Sequence, residues 1–565
     1  MTDRQLSLAD VARYPRPGMD APSSVEFTPD SRKVSYLLGA AGSLAQELWT
    51  YDLDSGERRQ LTDMTGGAGS PSGSISLDEE LRRERSRQRE LGVTSYQFVQ
   101  EAADGPLTLL VPFDGRLYLA RGEESLAPVF GSEGAINARL SPDGSHVAFV
   151  RAGELYVATI DGVGQPRALT SGAEDGVTNG LAEYIAQEEM GRQEGYWWSP
   201  DGTRLAFVRA DSRHIPPYSI VHQGTEGVTV EEHRYPFAGT RNAAVRLGVM
   251  AVDGHPEEVT WMDLGADDDI YLARVAWRPD GVLTALIQSR DQCSQRLVAF
   301  DPLSGAATSL IEEQGHPWLN LHDDLRFLSS GAFLWSSERT GFRHLSLYDH
   351  NGREMRVLTE GPWMVTGQVT VDEDQRLVYF QGTCDGPLER HLYAVSLDGG
   401  SLRRLTHQSG WHDAVISPDR RSFVDIWQSP EQPPRLTLRS LADGEARDLL
   451  FEHEGITPAS LGLCVPELTS FRTSDGVLLY AAIYASEQTR SAGQPRPLVV
   501  SVYGGPHAQT VISKWSLTVD MRAQYLAQQG FVVLKVDNRG SANRGLAFEA
   551  AITRAMGHVE VDDQL

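Results

Sequence analysis

One four-residue turn, repeated along the chain, limits the possible fold more than any other feature. It stands at Thr28-Pro29-Asp30-Ser31, Ser141-Pro142-Asp143-Gly144, Ser199-Pro200-Asp201-Gly202, Arg278-Pro279-Asp280-Gly281 and Ser417-Pro418-Asp419-Arg420. Proline presets φ at the second turn position, aspartate bonds back to its own backbone, and a final glycine accepts positive φ. An alternating strand follows most copies, as at residues 145–150 and 204–208. A second strand and an exit turn complete the unit, with 154–159 running into Asp161-Gly162 and 391–396 into Asp398-Gly399. Many units close on a Leu-Thr pair: Leu61-Thr62, Leu169-Thr170, Leu358-Thr359 and Leu405-Thr406. Short antiparallel strands punctuated in this way predict propeller blades, and an ordinary β-sandwich does not repeat one unit so often. Counting degenerate copies near 107–121 and 327–348 gives about eight blades, within one.

The rhythm changes after Gly455. Residues 468–485 read as a hairpin, and the apolar run 497–503 as a parallel strand buried on both faces. Residues 516–529 have helical apolar spacing, with Leu517, Met521, Tyr525 and Leu526 on one side and Gly530 as a stop. A further strand follows at 531–537. Strand, helix, strand opens an α/β domain. The expected organisation is an N-terminal segment at 1–20, a β-propeller over 21–455 and the start of an α/β-hydrolase domain over 456–565. The class is mainly β.

Charge and cysteine usage narrow the function. Fifty-one basic residues against 77 acidic ones leave a formal charge of −26, which disfavours nucleic acid, since phosphate binding needs clustered Lys and Arg. Cys293, Cys384 and Cys464 are too few and too scattered for a disulfide framework or a metal site. The N-terminus shows no apolar signal-peptide core and no stretch is apolar enough to span a membrane. A cytoplasmic protein without metal or cofactor is the expectation.

Three constellations carry possible chemistry. Glu188-Glu189 ends a helical pattern over 181–191; the two carboxylates diverge by about 100°, yet both are long enough to converge on one cation off the helix end. The solvated pair is the ordinary fate of such a dipeptide. A charged helix over 76–90, with Ser76 and Glu79 as a capping box, interrupts the blades and offers arginines to a peptide carbonyl; a solvated basic helix explains it equally well. Tyr503 precedes Gly504-Gly505-Pro506 at the end of the apolar strand, where an α/β-hydrolase builds half its oxyanion hole; a core tyrosine before a turn is the plainer alternative. No Gly-x-Ser-x-Gly elbow occurs in the 565 residues, and no Ser…Asp…His order can be placed on the α/β segment.

Together these residues resemble the dipeptidyl-peptidase IV family of the prolyl oligopeptidase clan, in particular its bacterial and cytosolic dipeptidyl peptidase 8 and 9-like branch. The resemblance is carried by 187–200, with the double glutamate and Tyr196-Trp197-Trp198, and by 234–236, 377–383, 387–393, 503–506, 537–541 and 556–564. It implies a serine exopeptidase that releases N-terminal Xaa-Pro or Xaa-Ala dipeptides through an acyl-enzyme. Glu188 and Glu189 would hold the substrate ammonium, and Tyr503 would stabilise the oxyanion. Arg89 would bind the substrate carbonyl, with Arg87 and Arg85 as fallbacks because the loop there varies in length. The Ser, Asp and His of the triad and the proline pocket would lie beyond Leu565, so the chain is expected to be cut off before its nucleophile and inactive by itself. Peptides with a free N-terminus are the expected partners. A homodimer of the full-length protein is an inherited expectation, for residues 212–242 give no clear interface signal. The alternatives are a non-catalytic propeller binding protein and a tripeptidyl or acylaminoacyl peptidase of the same clan.

Overall fold

The computed structural model describes residues 5–565 apart from 41, 65–81, 86, 101, 103–104, 161–164, 225–226 and 492. Eight antiparallel sheets follow one another along the chain, at 23–60, 97–128, 136–168, 177–261, 270–314, 326–357, 365–404 and 411–451. We number them blades 1 to 8. All but blade 4 are built from consecutive strands; in blade 4 the hairpin Pro217–Gly224 and Gly227–Arg234 pairs only with itself, between Arg204–Asp211 and Ala244–Ala251. Blades 1 and 4 each have five strands, the fifth of blade 1 being Leu91–Gly92, parallel to Ala45–Asp52.

The ring closes through side chains. Every neighbouring pair of blades shares an apolar cluster, and the first and last are no exception. Val25, Phe27, Val34 and Tyr36 of blade 1 pack against Val424, Leu436 and Leu438 of blade 8. Alternation within strands supplies these faces: Phe149 of blade 3 points one way into the cluster with blade 2, while Ala148 and Val150 point the other way toward blade 4.

The repeated motifs are hydrogen-bonding devices. In the Ser-Pro-Asp-Gly turn, Ser141 Oγ donates to Asp143 Oδ1 at 2.5 Å and accepts from His146 N–H at 2.9 Å, while Gly144 N–H closes the turn on Ser141 O. The same pattern holds at Ser199 and Ser417. Each Leu-Thr pair closes its blade in one way. The leucine N–H continues the ladder, and the buried threonine Oγ1 accepts the next free amide: Leu48 onto Thr62, Leu155 onto Thr170, Leu345 onto Thr359 and Leu392 onto Thr406. The exit turn Asp161-Gly162 and the capping pair Ser76 and Glu79 lie outside the described residues, of which 82–85 are helical.

After Phe451 the chain enters a four-stranded sheet. Its hairpin, Glu467–Arg472 and Leu478–Tyr484, pairs antiparallel with Val532–Asp537, which in turn pairs parallel with Leu498–Val500. Two expectations are corrected here. The strand Leu498–Val500 is an edge strand with exposed apolar side chains rather than one buried on both faces, because only Val532–Asp537 flanks it. The helix expected over 516–529 is two helices, Trp515–Thr518 and Met521–Gln528. Asp520 breaks it: its carboxylate caps Ala523 N–H at 3.2 Å and takes the Lys535 ammonium at 2.5 Å. No helix among the described residues is long and apolar enough to cross a membrane.

The α/β sheet docks directly on the propeller. Gln509 donates to Pro387 O at 2.8 Å, Ser513 N–H to Leu388 O at 2.9 Å and Thr518 Oγ1 to Pro430 O at 2.6 Å. Lys514 and Arg390 also lie over the Trp411 ring, at 4.4 and 4.5 Å. The loop that leaves the parallel strand therefore faces the ring of blades.

Candidate functional site

The double glutamate sits on a short helix, Tyr184–Glu188, inserted into the first crossing of blade 4. The strands on either side of it, Val177–Asn179 and Tyr196–Trp198, both pair with Arg204–Asp211. The entry and exit of the insertion meet where a Cβ on Gly195 would fall 2.4 Å from the Gly180 backbone, so only glycine fits. Ala182, Ala186 and Met190 seat the helix in the cluster between blades 5 and 6. Arg192, 2% exposed, ties it down through Glu183 at 2.7 Å, Leu272 O at 3.0 Å and Glu194 O at 2.6 Å.

These bonds leave Glu188 as the last helical residue and Glu189 as its cap, both exposed. Among the described residues neither carboxylate has a hydrogen-bond or ion-pair partner. The negative end of the helix dipole adds to their mutual repulsion.

The neighbouring Tyr184 reports that field, its hydroxyl pKa raised first by burial and then by the Glu188 charge. Over its ring lies the Arg85 guanidinium, 4.7 Å from the centroid, and Arg85 Nη1 donates to Gln187 Oε1 at 3.0 Å. Of the three candidate arginines, Arg85 is the one brought to the double-glutamate helix. Arg89 turns instead to Tyr14, 4.8 Å from its ring, and its hydrogen bond is the main cause of a lowered Tyr14 pKa. Arg87 is exposed and takes a positive φ of 53°.

Tyr503 lies on the α/β side, 65% exposed, with its ring edge against Gly505. Its loop is held from below by Asp537 at the end of the neighbouring strand, which accepts from Thr510 N–H at 2.8 Å, Thr510 Oγ1 at 2.7 Å and Val511 N–H at 2.9 Å. Burial raises the Asp537 pKa against these bonds. The two last motifs of the chain brace each other below the loop: Arg539 forks onto the fully buried Asp563, and Gln564 donates to Asn538 Oδ1. No contact joins Tyr503 to the double-glutamate helix among the described residues. The 315–325 segment touches both regions, through Leu321 and Leu325 on the helix cluster and Trp318 on the Tyr503 loop.

Residues 118–434, more than half of the chain, match the family model described as the dipeptidyl peptidase IV (DPP IV) N-terminal region. The chain belongs to the dipeptidyl peptidase IV family. Residues 517–565 match the prolyl oligopeptidase family. Human dipeptidyl peptidase 8 is 28% identical over 87% of this chain and 65% of its own length. A probable dipeptidyl peptidase 4 of Aspergillus flavus is 26% identical over 76% of this chain and 58% of its own. The chain thus spans less than two thirds of the length of these relatives. Porphyromonas gingivalis dipeptidyl peptidase 4 shares the fold at a TM-score of 0.82 and 23% identity, covering 100% of this chain and 78% of the other.

Asp537, Arg192 and the 315–325 segment had no assigned role in the sequence. Arg192 and Asp537 stand inside stretches that carry the family resemblance, and that position was the available signal. Nothing in the local pattern marks Trp318 or Asn320, because their partners lie about 190 and 230 residues away.

Proposed function

We propose that this chain carries the substrate anchor of a serine exopeptidase that releases N-terminal dipeptides, with proline or alanine at the second position. The observation that carries the reading is the carboxylate pair at the C-terminal end of the Tyr184–Glu188 helix, without a partner among the described residues. An ammonium between Glu188 and Glu189 relieves their repulsion and meets the negative helix end. Cleavage is then measured from the anchored amine, so the scissile carbonyl falls two residues in. Arg85, already beside the helix, takes the carbonyl of the anchored residue. Tyr503, on the loop facing the propeller, donates its hydroxyl to the oxyanion as the tetrahedral intermediate forms. Binding energy spent on the amine holds the carbonyl in register with the nucleophile.

The 565 residues hold these groups and no Gly-x-Ser-x-Gly elbow; by this reading they bind a peptide amine without hydrolysing the peptide. Self-association of the complete protein would use the solvent-exposed hairpin Pro217–Gly224 and Gly227–Arg234, whose one face carries Val221, Val228 and Val230.

The test is steady-state turnover of a Gly-Pro chromogenic substrate by the product of the complete reading frame. Glu188→Gln and Glu189→Gln should each lower kcat/KM by about 30- to 100-fold, the loss of one charge-assisted hydrogen bond and its ion pairing. Unchanged kcat/KM in both would reject the amine anchor.

A further inference from the structure

A cluster of charged side chains around two buried carboxylates lies where the propeller meets the Tyr503 loop. His507, four residues beyond Tyr503, pairs through Nδ1 with Glu549 Oε1. Glu549 is 4% exposed and Glu338 of blade 6 is 6% exposed, so both carboxylates are largely removed from water. Asn320 bridges them, donating to Glu338 Oε2 at 2.9 Å and lying 3.4 Å from each Glu549 oxygen. Arg343 stands 3.6 Å from Glu338, and the Trp318 ring meets the His507 ring edge-on at 5.6 Å. Leu546 N–H donates to Gly341 O at 2.8 Å, which fixes the segment bearing Glu549 to blade 6.

Two buried carboxylates sharing one amide require compensating cations. Arg343 serves Glu338; His507 serves Glu549. His507 also stands at φ 62°, a left-handed conformation that residues with a β-carbon avoid, and its N–H donates to Gly540 O at 3.2 Å. The loop is thus held in an unfavourable backbone state by contacts on both sides of the domain junction.

We propose that His507, through its ion pair with the Glu549 carboxylate that Asn320 of the propeller holds, is the positioning residue that sets the Tyr503 loop for oxyanion binding. It rests on the reading of Tyr503 given above. The charged groups facing His507 are Glu549 and, behind Asn320, Glu338 with its Arg343; the propeller otherwise presents the uncharged Trp318 ring. The Glu549 hydrogen bond is the main cause of a raised His507 pKa. A folded pKa above the unfolded value makes the lock complete below about pH 6.5 and releases it as pH rises through the folded value.

The first arm of the test needs no catalysis. Protonated imidazole quenches a neighbouring indole, so the emission of the 565-residue chain minus that of Trp318→Phe reads the His507 proton. The expected midpoint lies above about 6.5, and it falls toward the ordinary histidine value in Glu549→Gln. The half-exposed His507→Gln, which disturbs no core, abolishes the transition. A midpoint at or below the ordinary histidine value, or one that Glu549→Gln leaves in place, overturns the proposal. The second arm uses the product of the complete reading frame. His507→Ala should lower kcat about 10- to 100-fold with KM within about twofold, and the loss should be mimicked in the wild type at alkaline pH. If Tyr503→Phe is itself silent, the oxyanion reading fails. If Tyr503→Phe is costly and His507→Ala is silent, only the positioning role fails.

Discussion

Removing one hydroxyl from a Leu-Thr closure should loosen a blade by an amount the structure fixes. Thr406 is fully buried; its Oγ1 accepts from Leu392 N–H at 3.1 Å and lies 3.0 Å from His391 Nδ1. Burial lowers the His391 pKa, and its Nε2 stands 3.1 Å from Glu389 Oε2. The network therefore assigns a neutral ring that donates from Nε2 and accepts the threonine proton at Nδ1. Thr406→Val keeps the shape and deletes both bonds. A stranded buried amide costs about 1–3 kcal/mol and the lost bond to histidine about 1 kcal/mol. The added methyl returns about 1 kcal/mol. The net is about 2 kcal/mol, or about 30-fold at 1.4 kcal/mol per decade. Hydrogen–deuterium exchange of a peptide covering 391–396 reads this locally, which avoids treating a two-domain chain as two-state. Protection of the Leu392 amide should fall about 30-fold in Thr406→Val and stay within about threefold in Thr406→Ser. Protection unchanged in the valine variant, or an equal fall in the serine variant, would refute the account of the Leu-Thr repeat.

Two further outcomes follow from the site and the hairpin. Arg85→Ala should raise KM for a Gly-Pro substrate about tenfold or more while Arg89→Ala leaves it within about twofold; the reverse order in steady-state kinetics would return the carbonyl contact to Arg89. Val230→Asp places a charge on the exposed apolar face of the hairpin and should shift the complete protein toward monomer in sedimentation velocity; an unchanged sedimentation coefficient would remove the hairpin from the self-association surface.

The propeller was legible because its signal is local and repeated. Serine, aspartate and glycine in the turn each answer a bond within five residues, and the Leu-Thr pair answers one leucine 13 to 15 residues back. The double-glutamate helix was legible for a similar reason, although it is shorter than the 181–191 pattern because Leu181 bridges Glu194 instead of joining the helix. Tertiary competition hid the rest. Apolar spacing runs unbroken through 516–529, and only the contact of Asp520 with Lys535 shows why the helix stops and restarts. Which of Arg85, Arg87 and Arg89 comes to the double-glutamate helix depended on contacts far along the chain: Arg85 lies over the Tyr184 ring and Arg89 over the Tyr14 ring.

The most direct test is a crystal structure of the 565-residue chain soaked with Gly-Pro at saturating concentration. The account places the glycine ammonium within about 3 Å of a carboxylate oxygen from each of Glu188 and Glu189, with the first carbonyl turned toward Arg85. A dipeptide bound elsewhere, or one whose amine faces solvent while the glutamates stay unengaged, would contradict it.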